Sequence, residues 1–154
     1  MKSFAAAALS GLSFLSAVSA FPTVNVDVGL PDGFQPITRV EIQQRLASNA
    51  TEADRIFVCT GEEFYGTCGM KVVDFDQCTT LDAPFYHNVG SFSPGNGGYC
   101  RITTSANSCT QEGDLFIEPP GVNNLRWYED VNWGSNITSF ECQNCEACQL
   151  KRRV

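Results

Sequence analysis

His87 and Ser91 stand four positions apart in "HNVGSF", near enough for a histidine base to take the proton of a serine nucleophile. His87 is the chain's one histidine, and neither a third orienting group nor an oxyanion site accompanies it. Glu62-Glu63 and Asp74/Asp76 are carboxylate pairs of the kind that glycosidases use. Each lies in a turn-like stretch without a cleft-lining series of acids and aromatics, so they read as solvated turns. "CQNCEAC", residues 142–148, has the C-x-x-C spacing of a zinc knuckle but no histidine beside it. No catalytic set can be assembled, and the chain reads as a non-enzyme. Trp127, Tyr128 and Trp133 sit in and beside the longest loop, "EPPGVNNLRWYEDVN". They either fill the core or form an exposed recognition patch, because loops carry binding and Trp and Tyr dominate hot spots.

The segments that must position these residues begin after residue 20. Lys2, the apolar run "FAAAALSGLSFLSAVSA" and the small residues Val18-Ser19-Ala20 read as a secretory signal peptide. The run is interrupted by serines and is too short for a spanning helix. Without it Lys2 is lost and the net charge goes from −7 to −8, with Lys151, Arg152 and Arg153 in a basic tail, residues 151–154. An acidic body repels phosphate backbones and anionic lipids, which excludes nucleic acid and membranes as expected partners.

Cys59, Cys68, Cys78, Cys100, Cys109, Cys142, Cys145 and Cys148 all lie beyond the leader. An even count in an exported chain reads as a disulfide framework, and the oxidising route favours bridges over zinc thiolates. Two C-x8-C spacings occur, at 59–68 and 100–109. Each is expected to close locally across a hairpin, whose opposed Cα atoms lie within bridging reach, leaving Cys78 for the 142–148 cluster.

Residues 21–54 contain no cysteine. They open with "FPTVNVDVGLPDGFQP", where proline and glycine oppose regular structure, and then give "ITRVEIQQRLASNA" with Val40, Ile42 and Leu46 near helical spacing. Thr38 and Glu41 have the spacing of a capping box. This region reads as a flexible arm or pro-segment with one short helix, dispensable for folding. Residues 55–150 read as short strands ("RIFVCT", "VGSFSP", "YCRITT", "DLFIEP", "NITSFEC") broken by turn chemistry, an antiparallel sandwich or barrel in one cross-linked domain. Within it, C-x8-C followed by Asn-apolar-x-Ser-Phe occurs twice, the second time as "SNITSF" at residues 135–140. That makes one domain of two halves.

At these residues the chain resembles the βγ-crystallins. "CTGEEFYGTC" is similar to the folded first hairpin of their Greek key, and "HNVGSF" and "SNITSF" are similar to their Asn/Asp-rich, serine-containing signature. The resemblance implies an all-β Greek-key sandwich of two four-stranded motifs, disulfide-stapled and preceded by the arm. Gly66 would take positive φ in the folded hairpin. Ser91 and Ser139 would bond the hairpin backbone, and Phe92 and Phe140, next along each strand, would point to the opposite face. In microbial relatives the signature also binds Ca²⁺, which implies Asn88, Ser91 and Ser139 as candidate ligands. His87, Ser135, Phe92 and Phe140 depart from the signature and weigh against a cation, so no cofactor is expected. Asn49 and Asn136 are N-glycosylation acceptors, with Asn49 the more accessible.

The composite expectation is a secreted, monomeric, cysteine-rich binding protein. It would be effector- or toxin-like, meeting an extracellular protein or glycan. The alternative is an extracellular metalloprotease inhibitor, since actinomycete inhibitors resemble this fold. A structural role is the third reading.

Overall fold

Strand β2 (Arg55–Cys59) carries "RIFVC", in which every residue after Arg55 is buried. A strand apolar on both faces must be covered on both faces. In the computed structural model, which describes residues 29–48, 50–145 and 147, this requirement organises the first half of the molecule.

Among the described residues, eight strands form two four-stranded antiparallel sheets. The first is ordered β1 (Phe34–Pro36), β3 (Cys68–Val72), β2, β5 (Ser91–Pro94). The second is ordered β4 (Cys78–Thr80), β8 (Ser139–Asn144), β6 (Gly98–Thr103), β7 (Leu115–Ile117). Strand β4 leaves the first half and pairs with β8 in the second sheet. Reciprocally, Val122 of the second half bridges Phe92 on the free side of β5, with mutual N–H···O bonds of 3.0 and 2.8 Å. The two halves thus exchange their third strands, the second contributing one bridge instead of a full strand. This is the βγ-crystallin-like, two-motif Greek-key sandwich that the resemblance implies.

Between the sheets, Phe92 and Phe140 meet edge to face at 5.3 Å, surrounded by Ile56, Val58, Ile102 and Ile117. The opposite face of β2 presents Phe57 and Cys59 to a second apolar cluster with Ile42, Leu46, Phe64 and Cys68. Ile42 and Leu46 belong to helix α1 (Arg39–Ala47), whose N-terminus carries the expected capping box of Thr38 and Glu41. The Thr38 hydroxyl and N–H, both bonded to the Glu41 carboxylate, hold that carboxyl below its usual range.

The described part of the arm is therefore built into the fold, which corrects the expectation that residues 21–54 are dispensable. Strand β1 extends the first sheet, Phe34 packs on Phe85 at 5.2 Å, and Glu52 joins Arg45 of the helix to Arg55 of β2. Of Val40, Ile42 and Leu46, Val40 faces solvent and the other two are buried.

Disulfide pairing follows strand register. Cys59 and Cys68 end and begin adjacent strands at directly opposed positions, and they are bridged as expected. Cys100 lies in the middle of β6, opposite Ile117 on one side and Cys142 on the other. It bonds Cys142, not Cys109. Cys78 is opposed to Glu141 and so faces outward, away from the core-facing Cys142. It bonds Cys109 and ties β4 to the loop after β6, which corrects its expected pairing with the 142–148 cluster. Cys145 is also disulfide-bonded, so neither it nor Cys142 offers a thiolate to zinc.

Burial of Ile42 at 0 % exposure sets the stability test for the arm. Ile42→Ala is expected to cost about 2–5 kcal/mol in urea unfolding, and Val40→Ala less than about 0.5 kcal/mol. Equal small effects would mean that the helix contributes nothing to the fold.

Candidate functional site

The two signature copies perform different jobs. In the first, Gly90 lies so close to the folded hairpin that a Cβ would come within 2.2 Å of the Gly61 carbonyl carbon. Ser91 is fully buried; its hydroxyl donates to Gly61 O at 2.8 Å and accepts from Phe64 N–H at 3.1 Å. Glu63 and Phe64 both hold positive φ, 55° and 59°, a region costly for non-glycine residues. The Ser91 hydroxyl fastens that turn, while Gly66, at φ 79°, closes it.

In the second copy the pin moves one residue. The single proton of the Thr138 hydroxyl is shared between Thr103 O at 3.1 Å and Ala106 O, whereas Ser139 Oγ lies 3.4 Å from Thr138 Oγ1 and reaches no hairpin backbone. The role expected of Ser139 belongs to Thr138. No tight folded hairpin closes over this half. The loop of residues 104–114 takes its place, held by Thr138, the Cys78–Cys109 bridge and Asp114. Burial opposes the charge of Asp114, yet the N–H and hydroxyl groups of Thr104 and Ser105 hold its carboxyl below the usual range.

The Ser91 proton is committed to Gly61 O inside the protein, so Ser91 is not presented to His87 as a nucleophile. His87 itself stacks on Tyr86 at 4.0 Å. Glu63 accepts from Asn123 Nδ2 at 2.7 Å, and Asp76 accepts from Gln143 Nε2 at 2.7 Å. Glu63 and Asp76 are each tied to a residue remote in the chain.

The candidate calcium oxygens are also engaged. One nitrogen of Arg126, Nη2, donates to Asn88 Oδ1 at 2.7 Å and to Thr60 O at 3.1 Å, while Asn88 Nδ2 donates to Pro84 O. A guanidinium from the second half occupies the oxygens that a divalent ion would need. Asn88 and Ser91, two of the three candidate ligands, thus have their oxygens engaged within the protein. Among the described residues no group of three or more His, Cys, Asp or Glu side chains could hold a metal.

The aromatic group divides. Trp127 is 66 % exposed. Tyr128 and Trp133 are half-buried against the core, and Trp133 Nε1 donates to Tyr128 O at 3.1 Å. Tyr128 and Val131 pair across a two-residue turn, Glu129-Asp130, with both residues at positive φ, 52° and 61°. Such a turn ordinarily calls for Asn-Gly or Gly-Gly. Asn136 is exposed and its amide donates to Asn132 O, whereas Asn49 lies outside the described residues.

Sequence reasoning missed Arg126 and the outward pair Tyr99–Phe116, whose rings stack at 5.7 Å. Period-two alternation was the available signal for the pair. With Cys100, Ile102, Leu115 and Ile117 turned inward, Tyr99 and Phe116 must face out.

No protein-family model and no curated protein sequence matches the chain. Two solved structures are similar to it. One is the Ca²⁺-bound form of a βγ-crystallin domain of the Abundant Perithecial Protein from Neurospora crassa, at 9 % identity and TM-score 0.46, covering 62 % of this chain and 93 % of that one. The other was solved in connection with the evolution of the eye lens βγ-crystallin domain fold, at 16 % identity and TM-score 0.45, covering 65 % of this chain and 94 % of that one.

The two pins set the order of substitution costs. Ser91→Ala leaves Phe64 N–H and Gly61 O without a buried partner and should cost about 1–3 kcal/mol in urea unfolding. Thr138→Val should cost a similar amount, and Ser139→Ala less than either; the reverse order would return the pin to Ser139. Millimolar Ca²⁺ should leave the melting temperature of the wild type unchanged. A rise of several degrees would show that the ion displaces Arg126.

Proposed function

We propose that this chain is a secreted binding protein, effector- or toxin-like in its mode of action, that recognises a cationic extracellular macromolecule and catalyses nothing. The observation that carries the reading is the 127–131 hairpin. Trp127 is largely exposed beside an acidic turn held in a backbone conformation unfavourable to its own residues. Strain of that kind persists where it serves a function, and a rigid tip carrying tryptophan loses little entropy on binding.

Electrostatics supply the sign of the partner. Arg39, Arg45, Arg55, Lys71, Arg101 and Arg126 are all the lysines and arginines between residues 29 and 145, and every one is engaged within the chain. Arg45 and Arg55 meet Glu52; Arg101 meets Glu141. Arg39 lies over the Tyr65 ring, Lys71 bonds Asp32 O, and Arg126 bonds Asn88. The remaining surface charge is dominated by acids, which steers cations inward from solution. Disulfide staples keep such a scaffold folded among extracellular proteases. The inhibitor reading is weaker, because a left-handed turn does not offer the extended strand that fills a protease cleft.

Immobilised protein is expected to capture its partner from the surrounding extracellular material with an affinity that falls as salt rises. Trp127→Ala and Glu129→Gln/Asp130→Asn should each reduce capture about tenfold or more, while Trp133→Ala should chiefly lower stability. Capture unchanged by the first two would discard the hairpin as the site. Hydrolase turnover abolished by His87→Ala would sink the non-enzymatic reading.

A further inference from the structure

Beside the hairpin runs a groove of about 430 Å³ lined by Tyr99, Phe116, Pro119, Pro120 and Tyr128 among others. Tyr99 and Phe116 form one wall, their rings within 12° of parallel. Phe116 is 48 % exposed on β7, the edge strand of the second sheet. Tyr128 closes the groove and leads directly into the acidic turn Glu129-Asp130. The first sheet has its outer face covered by α1, whereas this pair on the second sheet stays open to solvent.

We infer that this groove seats an extended, proline-containing cationic segment of a polypeptide partner. Three observations converge on that occupant. Aromatic-lined grooves suit a polyproline II segment, whose conformation is already rigid and loses little entropy on docking. Glu129 and Asp130, exposed in the turn that follows the groove residue Tyr128, favour positive charge, since every described lysine and arginine is engaged internally. Stacked aromatic rings also attract a guanidinium over their faces. A sugar would instead need several convergent polar side chains for its hydroxyls, and the groove lining provides one carboxylate and two tyrosine hydroxyls.

This inference rests on the cationic-partner reading but can fail separately. The test uses the full chain and three synthetic twelve-residue probes: alternating Pro-Arg, alternating Ser-Lys of equal charge, and a neutral proline-rich peptide. The Pro-Arg probe is expected to bind at least about tenfold more tightly than either control. It should shift the NMR resonances of Tyr99, Phe116 and Tyr128, and lose about tenfold in affinity on Phe116→Ser or Tyr99→Ser. Phe116 and Tyr99 lie outside the core, so both variants should retain the wild-type melting temperature within a few degrees. Equal binding of the Pro-Arg and Ser-Lys probes, or binding unaffected by both variants, would overturn the groove while leaving the cationic reading intact. Absence of binding by every probe would also overturn the groove. The reading of the hairpin would then stand or fall on Trp127→Ala in the capture experiment.

Discussion

Everything in this domain hangs from one pleat used twice. Along β5 and β8, a phenylalanine turned to the core is flanked by a hydroxyl residue turned away from it. Phe92 and Phe140 meet edge to face at the centre of the sandwich, where aromatic contact adds about 0.5–1.5 kcal/mol to the burial itself. Alternation then forces Ser91 onto the other face of its strand, against the folded hairpin. A register slip of one residue would turn both phenylalanines out of the inter-sheet core and Ser91 away from the hairpin it fastens, so the core contact and the hairpin pin specify the register together.

From that shared pleat the halves diverge. The first is closed: α1 covers its outer face, Ser91 fastens its hairpin, and the Cys59–Cys68 bridge lies beneath the helix. The second uses looser means, with Thr138 and the Cys78–Cys109 bridge restraining a longer loop. Its third strand survives as the single Val122 bridge. What the second half gives up in regular pairing it gains in exposed loop and aromatic surface.

Much of this was legible from residues alone, and the failures have physical causes. The strands in "RIFVC", "YCRIT" and "SFEC" announce themselves by β-branched and aromatic content, and Thr38 with Glu41 marks the helix start. Strand β3, "CGMKV", is disguised by glycine and lysine; its place comes from tertiary pairing on both sides, not from local preference. The arm was misjudged because Ile42 and Leu46 look too few to build a core. They suffice because β2 already presents an apolar outer face to receive them. The second C-x8-C misled because equal spacing does not imply equal position in a strand. Cys59 ends its strand, whereas Cys100 sits in mid-strand, where its neighbour on β8 is nearer than any residue of its own loop. Arg126 carried no local signal, since its partners Thr60 and Asn88 are remote in sequence.

The fate of Arg126 also bears on how so acidic a small chain holds together and what it presents. Its guanidinium reaches from the loop of the second half to the hairpin and signature of the first, joining the halves. A delocalised cation with several fixed donors can satisfy a carbonyl and an amide oxygen at once, and it needs no dehydration of a hard ion. The other described cations are spent in the same internal way: Arg45 and Arg55 on Glu52, Arg101 on Glu141, Arg39 on Tyr65 and the Glu63 carbonyl. Positive charge in this fold is a structural material, and the exposed acids are left without it. The surface potential that results is a consequence of how the interior and its loops are tied, and the cation preference proposed for the hairpin and groove is built on it.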